Sequence, residues 1–180
     1  MEEGRRTLDV TALVIEPNVE SARLVQAVLE PWGVAVITAS STAEAELIAK
    51  AIHPDIILCD IEPPYAAGLR FIESLRTSSD GDLRRIPAIA MTAAYEDIDA
   101  RTARAAGFDV FLRKPIDADQ LPHTVALLVA RASCCAKAIP YRWWGELTGS
   151  YDVRLTSHVS SHGDPVGKQR PDSGAFGMGR

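Results

Sequence analysis

The sequence lacks most features of secreted, membrane and metal-cluster proteins. It has only three cysteines: Cys59 lies in an apolar run, and Cys134 and Cys135 are adjacent, so neither a disulfide framework nor a zinc-ligand spacing is present. Apolar runs such as Ile56–Cys59 and Ala126–Ala130 are far shorter than the ~18 residues of a membrane span. The first residues also lack the apolar core of a secretory signal. We therefore expect a cytoplasmic protein that does not bind a membrane.

Basic residues are also in deficit, and the deficit is uneven. The whole chain carries a net charge of −5, which argues against a nucleic-acid partner. Residues 1–131 hold 13 basic against 20 acidic residues, a net of −7, whereas residues 132–180 hold 6 against 4, a net of +2, and seven of the twelve glycines. We expect an N-terminal arm at residues 1–9, a globular domain at 10–131 and a largely disordered tail at 132–180.

The tail contains one aromatic cluster, the sequence Tyr141-Arg-Trp-Trp144. One interpretation is disorder with a local aromatic contact to the domain. The other is a docking segment anchored by Trp143 and Trp144, because paired exposed aromatic residues often mark interfaces. No helix-turn-helix pattern is present, and 49 residues are few for a winged-helix output domain.

Five short apolar runs alternate with helical patterns within the domain. The runs are continuous rather than alternating, as expected for strands that are covered on both faces. They are Ala12–Ile15, Val34–Thr38, Ile56–Cys59, Ala88–Met91 and Val110–Leu112. Five βα units in about 120 residues predict an α/β fold with a doubly wound, five-stranded parallel sheet.

Helix ends are marked by capping residues. Asn18 is a candidate N-cap for the first helix, and Ser41-Thr-Ala-Glu44 has the pattern of a capping box for the second. Further helical patterns are centred on Leu69–Leu75, run from Ile98 to Ala106 before Gly107, and extend to Arg131. This fifth helix begins at Asp117 or Asp119, and Pro122 favours Asp119 because proline is tolerated in a first turn.

Polar residues follow four of the five predicted strands. Glu16, Asp60 and Thr92 come directly after the first, third and fourth strand, and Lys114 comes two residues after the fifth. Doubly wound sheets bind ligands at the carboxyl ends of their strands, so these side chains should converge. Carboxylates suit a hard divalent cation, whereas the hydroxyl and the ammonium suit phosphoryl oxygens. Because no glycine-rich phosphate loop is present, a phosphoryl group would be held covalently or by side chains.

This arrangement resembles the receiver domain of bacterial two-component response regulators. The resemblance covers about two thirds of the chain and rests on four motifs. These are Pro54-Asp-Ile-Ile-Leu-Cys-Asp60, Pro64 and Gly68 at four and eight residues after Asp60, Met91-Thr92-Ala93, and Ala105-Ala-Gly-Phe-Asp-Val-Phe-Leu-Arg-Lys114-Pro115. It implies a flavodoxin-like fold with strand order 2-1-3-4-5 and a cis Lys114–Pro115 peptide bond.

The resemblance also implies roles for the site residues. Asp60 would accept a phosphoryl group from a sensor histidine kinase or a phosphotransfer protein. Thr92 would bind a phosphoryl oxygen, Lys114 would pair with the phosphoaspartate, and Phe111 would be the aromatic switch. The output would be binding of a downstream protein to the face made by the fourth predicted helix, the fifth strand and the fifth predicted helix. The chain would be a signalling switch rather than an enzyme.

The metal site departs from the family pattern. Receiver domains resembling this one carry two adjacent acids after the first strand, but here the pair is Glu16-Pro17, and proline supplies no side-chain oxygen. We expect Mg²⁺ to bind weakly to Glu16 and Asp60, with Glu62 in partial compensation.

Pro17 also favours an alternative function. The chain could be a phosphorylation-independent docking module with a degenerate metal site, although the intact Asp60, Thr92 and Lys114 argue against it. A flavodoxin-like cofactor enzyme is disfavoured, because the loop Glu16-Pro-Asn-Val-Glu20 has no phosphate-binding glycines or hydroxyls.

Overall fold

The chain forms one parallel sheet with helices on both faces. The structure, a computed structural model, describes residues 9–63, 65–93 and 100–133. The strands are β1 (Val10–Ile15), β2 (Val34–Ala39), β3 (Ile56–Asp60), β4 (Ala88–Thr92) and β5 (Val110–Arg113). Their order is β2-β1-β3-β4-β5, and all four pairings are parallel. The predicted doubly wound fold and its strand order are confirmed.

Six α-helices connect and cover the strands in the described residues. They are α1 (Val19–Leu29), α2 (Thr42–Ile52), α3 (Ala66–Arg76), α4 (Gly81–Arg85), α5 (Ala100–Ala106) and α6 (Gln120–Ala132). The fourth and fifth predicted helices are therefore α5 and α6. The one-turn helix α4 was not predicted, because five residues are too few for a helical pattern. Pro64, Ile98, Trp143 and Trp144 lie outside the described residues.

The sheet separates two apolar layers. Because successive side chains of a strand point to opposite faces, β1 contributes Leu13 to one layer and Val14 to the other. One layer packs against α1 and α6, and the other packs against α2, α3, α4 and α5. This two-sided burial explains why the strand sequences are continuous apolar runs. No helix among the described residues combines the length and apolarity that crossing a membrane requires.

The predicted caps form, with one change of partner. The Asn18 side chain accepts a hydrogen bond from the Ser21 amide at 3.0 Å, and the Ser41 hydroxyl accepts one from the Glu44 amide at 3.2 Å. The return bond of the capping box goes one residue further back than predicted, from the Ser40 amide to Glu44 Oε2 at 2.8 Å. The Ser40 hydroxyl also donates to that oxygen, which explains the preference.

The last helix begins after Asp119, as Pro122 indicates. However, the Asp119 side chain makes no capping bond. The Asp117 side chain does so instead, and accepts from the amides of Asp119 at 2.7 Å and Gln120 at 3.2 Å. Both candidate aspartates thus contribute to this helix start, one as the boundary and one as the hydrogen-bond acceptor.

Gly68 lets α3 pack directly on the end of β3. A Cβ atom at this position would lie 2.6 Å from Ile61 Cγ2 and 3.3 Å from Cys59 Sγ, both in buried side chains. Real Cβ atoms do not approach so closely, and the β-branched Ile61 has little freedom to move away. The glycine of the receiver-like motif therefore has a packing role beside the strand that carries Asp60.

The substitution Gly68→Ala should lower the free energy of unfolding by about 1 to 2 kcal/mol, because overpacking outweighs the better helix propensity of alanine. Gly81→Ala is the matched control, since a Cβ there meets only Arg84 Nη2 at 3.6 Å. Urea denaturation followed by circular dichroism measures both. Equal stability of the two variants would contradict the close-approach role of Gly68.

A chain that ends after Ser133 should still fold in one cooperative step. All five strands and both apolar layers lie before that residue, and α6 ends at Ala132, one residue past the predicted domain boundary. Thermal unfolding followed by circular dichroism tests this. Loss of the cooperative transition would mean that residues 134–180 belong to the core.

Candidate functional site

A lysine lies between two carboxylates at the carboxyl edge of the sheet. Lys114 follows β5, and its Nζ lies 2.7 Å from Glu16 Oε2 and 2.9 Å from Asp60 Oδ1. Glu16 follows β1 and Asp60 ends β3, so one ammonium group links the ends of three strands. The Lys114–Pro115 peptide bond is cis. The convergence that the strand-end pattern predicted for these three residues is thus present.

Both carboxylates are buried. The Glu16 side chain is 2% exposed and the Asp60 side chain 5%, whereas Lys114 is 22% exposed. Glu16 is held at both oxygens, because its Oε1 accepts a hydrogen bond from the Asn18 amide at 3.0 Å. Buried carboxylates need such partners to remain charged. Sequence reasoning missed the role of the Asn18 amide, since no side-chain pattern indicates a backbone partner.

Burial governs the protonation of this cluster. Desolvation raises the pKa of Asp60 to about 6; Lys114 opposes this shift, while the negative charges of Glu16 and Glu62 add to it. Burial lowers the pKa of Lys114, but its hydrogen bond with Glu16 and its ion pairs with Glu16 and Asp60 outweigh this effect and raise the pKa above its ordinary value. The lysine therefore stays charged at neutral pH.

Thr92 joins the site at the end of the neighbouring strand. Its side chain is fully buried, and β3 and β4 pair so that Asp60 is opposite Met91, the residue before Thr92. The Lys114 amide donates to the Thr92 carbonyl at 2.7 Å, which connects the ends of β4 and β5. Phe111 lies earlier on β5, is partly buried, and packs against the apolar layer that contains α3 and α5.

Glu62 is close enough to influence Asp60 but is engaged elsewhere. Its Oε1 accepts a hydrogen bond from the Ala93 amide at 2.9 Å, and the residue is exposed. This contact links the segment after β3 to the segment after β4. Across residues 9–63, 65–93 and 100–133, no three histidine, cysteine or acidic side chains are grouped closely enough to hold a metal ion. Glu16, Asp60 and Glu62 are therefore not assembled as one ligand set.

The chemistry of the two inner carboxylates nevertheless suits a divalent cation. Asp60 Oδ1 is buried, and its contact with Lys114 lacks the geometry of a hydrogen bond, so this oxygen accepts none from the described residues. An ionised oxygen of this kind is a good ligand for Mg²⁺. Because the Lys114 ammonium lies beside both carboxylates, a cation would have to share them with it. Asp60 and Glu16 thus fit Mg²⁺ by donor type, and water would have to complete its coordination shell.

Cys59 lies next to Asp60 but is not a reactive group. It is fully buried, and burial together with the charges of Asp60 and Glu16 raises its thiol pKa to about 12. A thiol with so high a pKa is protonated at neutral pH and is a poor nucleophile.

Comparison with known proteins agrees with this geometry. The family model of the response regulator receiver domain matches residues 12–126. The polar-differentiation response regulator DivK of Brucella ovis is 32% identical over 115 residues, which cover 64% of this chain and 92% of the relative.

Solved structures show the same fold. The receiver domain of a Francisella response regulator superimposes with a TM-score of 0.60 at 24% identity and covers 68% of this chain and 98% of its own. A response regulator receiver domain protein from Clostridium thermocellum gives 0.60 at 23% identity, with coverages of 68% and 95%. The resemblance seen in the sequence motifs is confirmed. The chain belongs to the response regulator receiver domain family of two-component signal transduction.

Proposed function

We propose that this receiver is a phosphorylation switch whose phosphoacceptor is Asp60. The observation that carries the proposal is the position of the Lys114 ammonium, 2.9 Å from Asp60 Oδ1 and 2.7 Å from Glu16 Oε2. A buried carboxylate beside a fixed cation can act as a nucleophile toward phosphorus, because the cation neutralises the negative charge that the phosphoryl group brings into the site. The donor would be a phosphohistidine on a sensor histidine kinase or a phosphotransfer protein, in the cytoplasm.

The proposed step is an in-line transfer between two side chains. An ionised Asp60 oxygen attacks phosphorus, the bond from phosphorus to the imidazole nitrogen breaks, and the imidazole leaves with its electron pair. Lys114 pairs with the phosphoryl oxygens, and the Thr92 hydroxyl donates to one of them. Asp60 and Glu16 would hold Mg²⁺, and the negative charge of the nearby Glu62 would support its binding; the ion would supply further charge neutralisation. The chain returns unchanged only after hydrolysis of its own phosphoaspartate, so it acts as a switch and not as an enzyme.

The signal would leave through the face made by α5, β5 and α6. β4 and β5 pair so that Ala90 is opposite Phe111, and the Lys114 amide donates a hydrogen bond to the Thr92 carbonyl. A shift of Thr92 toward the phosphoryl group would therefore displace β5. Phe111 is partly buried against the apolar layer that contains α3 and α5, and in the proposed switch its side chain would turn inward. Phosphorylation then biases a pre-existing equilibrium of this face. The partner would be a protein, not a nucleic acid or a membrane.

A second candidate rests on Pro17. A docking module that works without phosphorylation would tolerate the missing acid, since its output would depend on the surface alone. The buried ion cluster of Lys114, Glu16 and Asp60 supports the switch instead. Retaining two buried carboxylates and a lysine costs desolvation free energy that a passive module would not need to maintain.

Incubation with acetyl phosphate and Mg²⁺ should add one phosphoryl group, about 80 Da from its atomic composition, to the wild-type chain. Asp60→Asn should not be labelled, because the amide is not a nucleophile. Intact-mass spectrometry measures both. Asp55→Asn is the control, since Asp55 is a partly buried aspartate before the same strand whose carboxylate accepts from the Thr11 amide. Equal labelling of wild type and Asp60→Asn would exclude Asp60, and no labelling of wild type would favour the docking module.

Two substitutions test the metal site by Mg²⁺ titration. Pro17→Asp should tighten binding about tenfold, equivalent to about 1.4 kcal/mol, because it supplies the missing carboxylate. Glu62→Gln should loosen binding by a smaller factor and leave the fold intact, since the amide oxygen can still accept from Ala93. Glu73→Gln on the exposed surface of α3 controls for the loss of one charge.

The pattern of these results separates the alternatives. If only Pro17→Asp changes the affinity, Glu62 does not support the cation and the site is merely depleted. If none of the variants differs from wild type, Mg²⁺ is not bound by these carboxylates.

A further inference from the structure

An apolar groove lies beside the site, between α1 and the segment that connects β5 to α6. It encloses about 210 Å³. Its lining is mostly apolar and includes Leu24, Val25, Val28, Pro115, Ile116 and Leu121. We refer to it as the α1–α6 groove. Leu24, which lines it, is 68% exposed. An apolar groove beside a large exposed apolar side chain is typical of a site that another polypeptide covers.

The groove suits apolar side chains better than a charged or cofactor-sized ligand. Its volume is below the ~300 to 1,000 Å³ typical of small-molecule sites. Its two charged inner residues, Glu16 and Lys114, already form an ion pair with each other at 2.7 Å. What remains free for contact is the apolar wall, which favours one or two aromatic or aliphatic side chains.

We propose that this groove binds the segment Tyr141–Trp144 of the same chain through the indole rings of Trp143 and Trp144. The chain that follows α6 is long enough for this segment to reach the groove. Leu121, in the first turn of α6, lines the groove, and α6 carries the chain about 18 Å away from it before Ser133, at ~1.5 Å per residue. Trp143 follows ten residues after Ser133, a length that spans up to about 33 Å when extended. The segment can therefore run back along α6 to the groove.

The segment and the groove are also complementary in apolar surface and in charge. Each of the two indole rings offers ~150 to 250 Å² of mostly apolar contact surface. Such a surface is complementary to the apolar wall of the groove. Arg142 lies between the aromatic residues, and the acidic Asp117 lines the groove. The domain is acidic and the tail is basic, so the charges attract over the whole interface.

Because the segment belongs to the same chain, its effective concentration at the groove is high. A short tether gives the segment an effective concentration of the order of millimolar at the groove, so a weak apolar contact is sufficient for occupancy. A separate protein with the same contact would have to supply that free energy on its own.

The test uses the full chain with Trp32→Phe, so that only Trp143 and Trp144 emit. Phenylalanine keeps a ring where Trp32 stacks edge-on against His123, with ring centroids 5.3 Å apart. In this chain the tryptophan emission should be blue-shifted and poorly quenched by acrylamide. Adding Leu24→Asp should shift the emission to the red and raise the quenching constant about twofold or more, because the indoles return to water.

Leu47→Asp is the matched control. Leu47 is 73% exposed, lies near the middle of an eleven-residue helix as Leu24 does, and belongs to α2 on the opposite face of the sheet. This variant should leave quenching unchanged. Circular dichroism verifies the fold of each chain, and Leu24→Gln, a milder change, repeats the measurement if Leu24→Asp unfolds.

Three outcomes would overturn the proposal. Tryptophans that are fully quenched before any groove substitution do not bind the domain. Equal effects of Leu24→Asp and Leu47→Asp place them on another surface. Shielding that appears only as the protein is concentrated, from about 1 to 100 µM, assigns the groove to a second copy of the chain. None of these readouts depends on phosphorylation, so failure here leaves the role of Asp60 intact.

Discussion

The placement of Lys114 between Glu16 and Asp60 is the interaction on which the site depends. Two carboxylates that are 2% and 5% exposed would repel each other and lose hydration if no cation accompanied them. The ammonium group of Lys114 offsets both effects, because it pairs with both carboxylates. Because the three residues come from the ends of β1, β3 and β5, the ion cluster also fixes how these strand ends lie relative to one another.

The segments that follow the strands are tied to this cluster by backbone amides. The Asn18 amide binds the second oxygen of Glu16, and the Ala93 amide binds Glu62. The Lys114 amide binds the Thr92 carbonyl. Polar contacts therefore fix the segments that follow β1, β3, β4 and β5 at the carboxyl edge of the sheet.

Pro17 changes the metal chemistry without changing this framework. Glu16 retains its ion pair and its amide hydrogen bond, so the local structure does not require an acid at position 17. Proline supplies no side-chain oxygen at a position beside the two inner carboxylates, so the only acids at the centre of this site in the described residues are Glu16 and Asp60.

The elements of the fold could be predicted because their signals are local. Continuous apolar runs predicted all five strands to within two residues, since burial on both faces leaves no alternation. Asn18 was correctly predicted as an N-cap, and Pro122 indicated the start of α6. The one-turn helix α4 could not be predicted from the sequence. Its N-cap is the Asp80 side chain, which accepts hydrogen bonds from the amides of Asp82 and Leu83, and this pattern is also typical of an ordinary turn. The position of Asp60, Thr92 and Lys114 at strand ends also predicted that they lie at one edge of the sheet, because parallel strands end at the same edge.

What only the tertiary structure decided is which partner each group at that edge selects. The sequence by itself determined the fold, the family and the identity of the strand-end residues, because these follow from spacing along the chain. It could not show that Lys114 pairs with Glu16 as closely as with Asp60, or that Glu62 binds the Ala93 amide rather than joining the inner carboxylates. Those choices depend on distances of 2.7 to 2.9 Å between residues as many as 98 positions apart. Such distances are set by the packing of the sheet and its helices, not by any local pattern.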